Sequence, residues 1–397
     1  MQNRRNRLIF IVVYLAYTAI YIARVNLSMA GPELIAANVL STAQMGLLGS
    51  VFSTVYAVGR LINGGLSDRT PPWVMLTCGL GVAGLSNLLV GMLPPFIGMF
   101  FLWTANAYAQ SMLWSSVLCV VSSMYEKNDA KQKTSIMVTS VAAGNILGIV
   151  INTLLITRLG VRFAFVVPGI LTVVLGALVF VGTRHINPPV QAVEKKHVPM
   201  WQLLKNRELC TMGVPAVVHG IMKENISLWM TVYMIDTYCV DLSTSAYYVL
   251  LIPSIGFVGR LVYPACYRFC RGNENTVSLV GFAVCALCAV PLFFGAINMM
   301  VSVLCLGLIY TAVSMINTSI LSIYPLHYLK TGNVASVSGI MDFATYLGGG
   351  VASVIYGITI ERFGYLPMFA SWVVTSLISM VLIQKIKNDR KREEQTT

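Results

Sequence analysis

The sequence predicts an all-α membrane protein in which twelve transmembrane helices form two pseudo-symmetric six-helix bundles. Three observations predict it. The 397-residue chain is 56% hydrophobic and 11% charged, with a mean hydropathy of +0.74, far from the balance of a water-soluble domain. Apolar runs of roughly twenty residues recur along it, the length a helix needs to cross about 30 Å of hydrocarbon. Short patterns also recur about half a chain apart, as expected when one six-span design is used twice. The predicted spans are 8–30, 42–64, 73–92, 95–122, 134–157, 162–182, 211–236, 243–266, 276–297, 299–324, 334–360 and 364–386.

Arg4, Arg5 and Arg7 precede span 1 in the manner of a signal peptide, but its apolar stretch is too long and has no small-residue cleavage site. It is read as a retained span. Lys and Arg then sort by side: twenty lie before span 1, after each even-numbered span and after span 12, whereas the opposite side has Arg158, Arg162 and Arg362. The positive-inside rule puts both termini in the cytoplasm, as an even number of spans requires. The net charge of +12 is thus a topology signal, and no nucleic-acid partner is expected.

The polar stretch 183–207, with Pro188, Pro189, Lys195 and Lys196, divides the spans six and six. The predicted domains are an N-terminal bundle over 1–183, a linker over 184–207 and a C-terminal bundle over 208–397. Val58-Gly59-Arg60-Leu61 recurs as Val258-Gly259-Arg260-Leu261, and Arg158-Leu159-Gly160 is echoed by Arg362-Phe363-Gly364. The nine cysteines lie mostly within spans, and the one CxxC, Cys285 to Cys288, is in an apolar run without ligand partners, so helix packing is expected of it.

Ionisable residues inside spans cost at least about 2.5 kcal/mol each and need a reason. They are Arg24, Arg60, Lys223, Glu224, Arg260 and Asp342, a set with more cations than anions. A hydrated cavity that receives an anion provides one. Arg24 and Lys223 are in the first helices of the two repeats, about half a chain apart, and pseudo-symmetry would set them facing one another. Neighbours on a helix point about 100° apart, so Lys223 and Glu224 are not expected to pair. Arg60 is two turns from the loop and is open to a binding or a snorkelling role; for Arg260 snorkelling is the better reading. Glu224 is a coupling candidate, a counter-ion or a structural group at a cavity edge. Tyr17, Tyr21 and Arg24 share one face of span 1, a stripe that suits a polar organic substrate as well as packing. Gly348-Gly349-Gly350 would let span 11 approach a neighbour or break it beside a cavity.

Gly64-Gly65-Leu66-Ser67-Asp68-Arg69 between spans 2 and 3 resembles the signature loop of the major facilitator superfamily, with Pro71, Pro72 and Trp73 in place of its later basic residue. Tyr21-Ile22-Ala23-Arg24-Val25-Asn26, Gln110-Ser111-Met112-Leu113-Trp114 and Tyr346-Leu347-Gly348-Gly349-Gly350 resemble segments of the organophosphate:phosphate antiporters, the glycerol-3-phosphate and hexose-phosphate transporters. The resemblance implies that Arg24 is the first phosphate-binding arginine, that Lys223 stands at the second, normally an arginine, and that Arg60 falls at a binding lysine. It likewise puts Tyr17, Tyr21, Tyr310 and Tyr346 on pocket tyrosines, and Gly64, Asp68 and Arg69 in a loop that stabilises one access state. A pocket histidine of the family is absent near Gly144. Anion:cation symporters share the arginine followed by Asn-Leu-Ser, usually after a proton-carrying aspartate, but this chain has Ala23 there.

The expected function is secondary active transport of a small organic anion, foremost a phosphorylated sugar or polyol in exchange for phosphate, by alternating access. A proton-coupled symporter of a carboxylate such as a sugar acid, and a transporter-like sugar-phosphate sensor, are the alternatives. No cofactor or metal is expected and no enzyme activity, since no nucleophile-and-base set, metal spacing or phosphate-cradling loop accompanies the spans. The expected partners are the anion, phosphate or protons as coupling ion, and the lipid bilayer. A monomer in the bacterial inner membrane is the expected setting.

Overall fold

The computed structural model describes residues 2–67, 70–186, 203, 205–294, 298–328 and 334–396. Its regular elements are thirteen α-helices and one short run of π- and 3-10-helical turns, with no strand among the described residues. Contacts divide the chain into two compact units, Met1–Ala192 with Asp241–Ala246, and Val193–Val240 with Tyr247–Thr397. The predicted linker lies largely outside the described residues, as do Asp68, Arg69 and the side chain of Arg260.

The first unit contains α1 (Gln2–Ala36), α2 (Thr42–Leu66), α3 (Pro72–Val90), α4 (Phe96–Ser111), α5 (Leu113–Met124), α6 (Lys127–Leu159) and α7 (Phe163–Thr183). A capping box starts α2: the Ser41 hydroxyl accepts from the Gln44 N–H, and the Gln44 side chain accepts from the Ser41 N–H, so two otherwise orphaned donors are satisfied. Span 4, expected as one helix, is broken at Met112 into α4 and α5. Ser111 donates to the Tyr108 carbonyl at 2.6 Å and accepts from Asn63 of α2 at 2.7 Å. A hydroxyl bonded back onto its own helix bends it.

The second unit contains α8 (Arg207–Tyr238), most of α9 (Leu242–Phe269), α10 (Glu274–Phe293), α11 (Met299–Asn317), α12 (Val334–Phe363) and α13 (Leu366–Thr396). Asn206, Asn273 and Asn298 cap α8, α10 and α11 through their side-chain oxygens. After α11 the chain passes through a π-helical stretch, Thr318–Ile323, and a 3-10 stretch, Tyr324–Tyr328. Pro325 lacks the N–H that an α-helical ladder needs there.

Ten of the described helices are long and apolar enough to cross a membrane. The two predicted spans outside that set have visible reasons: α4 and α5 are each short, and α8 carries Lys223, Glu224 and Asp236. Within hydrocarbon, side-chain hydrogen bonds to neighbouring helices take the place of water. Asn26 of α1 donates to Asn87 of α3 at 2.7 Å and to the Ala164 carbonyl of α7 at 3.3 Å, and Asn152 of α6 donates to the Ile22 carbonyl of α1 at 3.0 Å.

The two sequence echoes fall on matching structural positions. A Cβ on Gly59 would lie 2.8 Å from the Cβ of Ser111, where α2 meets α4, and one on Gly259 would lie 2.5 Å from the Cγ2 of Thr311, where α9 meets α11. Gly160 and Gly364 end α6 and α12 with φ of 102° and 69°, a backbone region in which a Cβ is strained.

A charged cluster ties four elements of the second unit at one end. Arg390 of α13 bonds Glu208 of α8 at 2.5 Å and Glu274 of α10 at 3.2 Å, while His327, after α11, meets the same Glu274 oxygen at 2.7 Å. Tyr324 also donates to Glu208 at 3.2 Å. Glu274 is nearly buried, with 8% of its side chain exposed, so removing its cation leaves a carboxylate with less compensation. Arg390→Gln is expected to lower unfolding stability by about 1 to 3 kcal/mol. Thermal unfolding in detergent would read this, with Lys385→Gln on the exposed side of the same helix as the silent control; equal melting of both variants would refute it.

Candidate functional site

In the first unit, α1 and α2 present matching stripes. On α1, helical spacing aligns Tyr17, Tyr21 and Arg24; on α2 it aligns Phe52, Tyr56 and Arg60. The Arg24 guanidinium carbon lies 4.7 Å from the ring centres of both Phe52 and Tyr56 and 5.7 Å from that of Tyr21. Arg60 approaches the same Tyr56 ring at 5.8 Å. Phe52 and Tyr56 are nearly parallel, 10° apart, with Trp103 packed on Phe52 at 5.9 Å. Tyr17 is buried, with its ring 5.5 Å from Tyr21 and 5.4 Å from Trp114 of α5. Each ring face contributes about 0.5 to 2 kcal/mol to holding a cation, the more so where water is excluded. Aromatic faces fix a guanidinium in place without neutralising it.

Sequence reasoning found Tyr17, Tyr21, Arg24 and Arg60 but missed Phe52 and Tyr56. The signal was present: their spacing of four residues, ending on an arginine, repeats the logic of the α1 stripe. The missing histidine near Gly144 also has a structural counterpart. A Cβ on Gly144 would lie 2.4 Å from the Tyr21 Cβ and 2.6 Å from the Thr18 carbonyl oxygen, so α6 rests on α1 where no larger residue fits. Gly64 is exposed, with nothing within 4 Å of a Cβ built on it.

In the second unit, the expectation that Lys223 and Glu224 point apart is overturned. Lys223 Nζ lies 3.1 Å from Glu224 Oε1, with 26% and 14% of the two side chains exposed. The 100° between adjacent positions applies to the Cα–Cβ directions, and long side chains close that angle through their rotamers. The face of α12 accommodates this bend. Lys223 Nζ is 4.7 Å from the centre of the buried Tyr346 ring, and one turn on, a Cβ on Gly349 would lie 2.6 Å from Glu224 Cγ.

The Gly348-Gly349-Gly350 segment does not break its helix; α12 runs unbroken through it. It serves close approach instead, since a Cβ on Gly348 would lie 2.6 Å from the Val217 carbonyl oxygen and one on Gly220 of α8 would lie 1.7 Å from the Thr345 carbonyl oxygen. Asn225 donates to the Gly349 carbonyl at 3.3 Å and accepts from Ser353 at 3.1 Å, which fixes the register of α8 on α12. Tyr310 of α11 packs on α9, where a Cβ on Gly256 would lie 2.2 Å from its ring. Among the described residues, no group of three or more His, Cys, Asp or Glu side chains is arranged to hold a metal ion.

Comparison with known proteins gives this arrangement its context. The chain is 25% identical over 301 residues to the membrane sensor protein UhpC of Escherichia coli (strain K12), an alignment covering 69% of this chain and 67% of that protein. It is 30% identical over 169 residues to the probable hexose phosphate transport protein of Chlamydia trachomatis serovar D, covering 42% and 37%. Its fold matches the crystal structure of a bacterial homolog of the human lysosomal transporter Spinster, in an inward-facing and occupied conformation, with a TM-score of 0.78 over 96% of this chain and 97% of that one. At 13% identity that likeness is one of fold alone. The family model for the Major Facilitator Superfamily matches residues 13–353, most of the chain, and with helices of membrane-spanning length throughout, this transporter-fold protein belongs to the Major Facilitator Superfamily.

Proposed function

We propose that the chain is a secondary active transporter of a small organic anion, most specifically a phosphorylated sugar or polyol, moved by alternating access in exchange for phosphate. The observation that carries this reading is the Arg24 guanidinium, set within a predicted membrane span against the faces of Tyr21, Phe52 and Tyr56. A planar, permanently charged fork held by rings suits the oxygens of a phosphate or carboxylate, and a charge at that depth is otherwise costly. Arg24 and Arg60 would act from the first unit and Lys223 from the second, with Tyr17, Tyr21, Tyr310 and Tyr346 as pocket residues. Both termini would be cytoplasmic, in the inner membrane, and the protein monomeric.

The related proteins named for hexose phosphate transport support the substrate class. The resemblance to a membrane sensor favours one second reading, in which the same site binds a sugar phosphate and signals without carrying it. Purified protein in liposomes loaded with inorganic phosphate should take up external labelled hexose 6-phosphate or glycerol 3-phosphate, each of which should also displace the trapped phosphate. Saturable binding without flux would establish the sensor reading, and neither binding nor flux would refute both.

A further inference from the structure

We infer that the groove between the later part of α13 and the start of α10 binds one phospholipid with a zwitterionic amino head group, of the phosphatidylethanolamine type. The groove has a volume of about 610 Å³, and in it Leu279 of α10 meets three pairs on α13: Met380 with Val381, Gln384 with Lys385, and Asn388 with Asp389. Positions four apart share a helix face, so the pairs form one stripe with steps of about 6 Å along the axis. Their character changes along it. The first pair is apolar, with 69% of Val381 exposed; the second carries a cation and the third an anion. Helix α13 is long and apolar enough to cross a membrane over Leu366–Arg390, so the stripe runs from hydrocarbon toward water in the order apolar floor, Lys385, Asp389.

An amino phospholipid has the same order from its chains outward: acyl chain, phosphate diester, primary ammonium. With a chain along Leu279, Met380 and Val381, its phosphate falls at Lys385 and its ammonium at Asp389, and both charges are matched at once. Phosphatidylglycerol has no cation for Asp389, whose carboxylate then opposes the lipid's negative charge. Phosphatidylcholine has a cation but no N–H to donate to that carboxylate. Gln384 donates to Asn388 at 3.0 Å, so the two amides partly satisfy each other and selection is assigned to the two charges. Both are exposed in the groove, and among the described residues no ion pair engages either of them. The neighbouring cations are committed elsewhere: Lys387 donates to Thr276 at 2.8 Å, and Arg390 is held by Glu208 and Glu274.

The test uses purified full-length protein, delipidated in detergent and titrated with dioleoyl phosphatidylethanolamine, phosphatidylglycerol or phosphatidylcholine in mixed micelles. Bound lipid would be measured by native mass spectrometry and its effect by thermal unfolding. The wild type should bind phosphatidylethanolamine about fivefold more tightly than either other lipid and melt higher in its presence. The double variant Lys385→Asp with Asp389→Lys keeps the composition and net charge but reverses their order along the helix. It should bind phosphatidylethanolamine about tenfold more weakly than the wild type, while melting like it without lipid. Asp389→Asn should bring phosphatidylethanolamine and phosphatidylglycerol close to parity, and it provides the reading if the double variant does not fold. Deacylated glycerophosphoethanolamine should not compete, because it has no chain for the apolar floor. Equal binding of the three lipids by the wild type, a preference unmoved in the variants, or competition by the deacylated head group would each overturn the inference.

Discussion

Arg24→Ala is expected to lower the initial rate of organic-phosphate exchange in liposomes by about 100-fold or more, with little change in melting temperature. Losing one partner of a desolvated, hydrogen-bonded charge pair costs about 2 to 5 kcal/mol of binding, and about 2.7 kcal/mol already corresponds to 100-fold. The Arg24 guanidinium lies 4.7, 4.7 and 5.7 Å from the ring centres of Phe52, Tyr56 and Tyr21, so its removal takes away the cation that these three rings hold in common. Arg24→Lys should retain part of the activity, because it keeps the charge but loses the planar fork that grips two oxygens at once. Arg60→Ala should cost less, since Arg60 approaches the Tyr56 ring at 5.8 Å, farther than Arg24 does. Uptake by Arg24→Ala at the wild-type rate would remove the central support for an anion site.

The largest expected effect on stability belongs to Gly220→Ala. An ideal Cβ there would lie 1.7, 2.5 and 2.8 Å from the carbonyl oxygen, carbonyl carbon and Cα of Thr345. All three atoms are backbone, so no rotamer change relieves the clash, and α8 must separate from α12. Overpacking of this kind costs about 3 kcal/mol or more when the obstacle cannot yield. Thermal unfolding and the yield of monodisperse protein in detergent should both fall sharply. Gly213→Ala, on the same helix with nothing within 4 Å of the added atom, should melt like the wild type. Indistinguishable melting of the two variants would show that α8 and α12 are not in backbone contact at Gly220.

Much of this was legible in the sequence because a membrane imposes length and polarity on every span. The predicted spans match the helices closely, and the repeated Val-Gly-Arg-Leu segments fall where equivalent helix pairs touch. What escaped the sequence depended on partners remote along the chain. Span 4 breaks because Ser111 is engaged by Asn63 from α2 and bonds back on Tyr108, a meeting that hydropathy does not encode. Phe52 and Tyr56 share a helical stripe with Arg60 in the sequence, but what sets them beside the candidate site is Arg24, on another helix, lying against their rings. The Lys223–Glu224 pair was misjudged because a helical wheel treats side chains as short spokes, whereas these two bend together over a glycine of α12. Tyr310 was expected from the resemblance alone, and its surroundings on α9 are known only from the three-dimensional arrangement.

The glycine seam between α8 and α12 also has a mechanical consequence. Where two helices are separated by side chains, a local displacement is absorbed by rotamer changes in between. At Gly220 and Gly348 little lies between to absorb it, because main chain presses on main chain, and Asn225 locks the sliding direction by its bonds to Gly349 and Ser353. Helices of 32 and 30 residues, each about 45 Å long, are thereby joined into a single stiff beam. The contacts keep a near-constant offset along both chains, from Gly220 on Thr345 to Asp236 on Tyr365, so the two helices run parallel, and a pull on Lys223 or Tyr346 near the middle of the beam is delivered to the end that Tyr238 and Phe363 share.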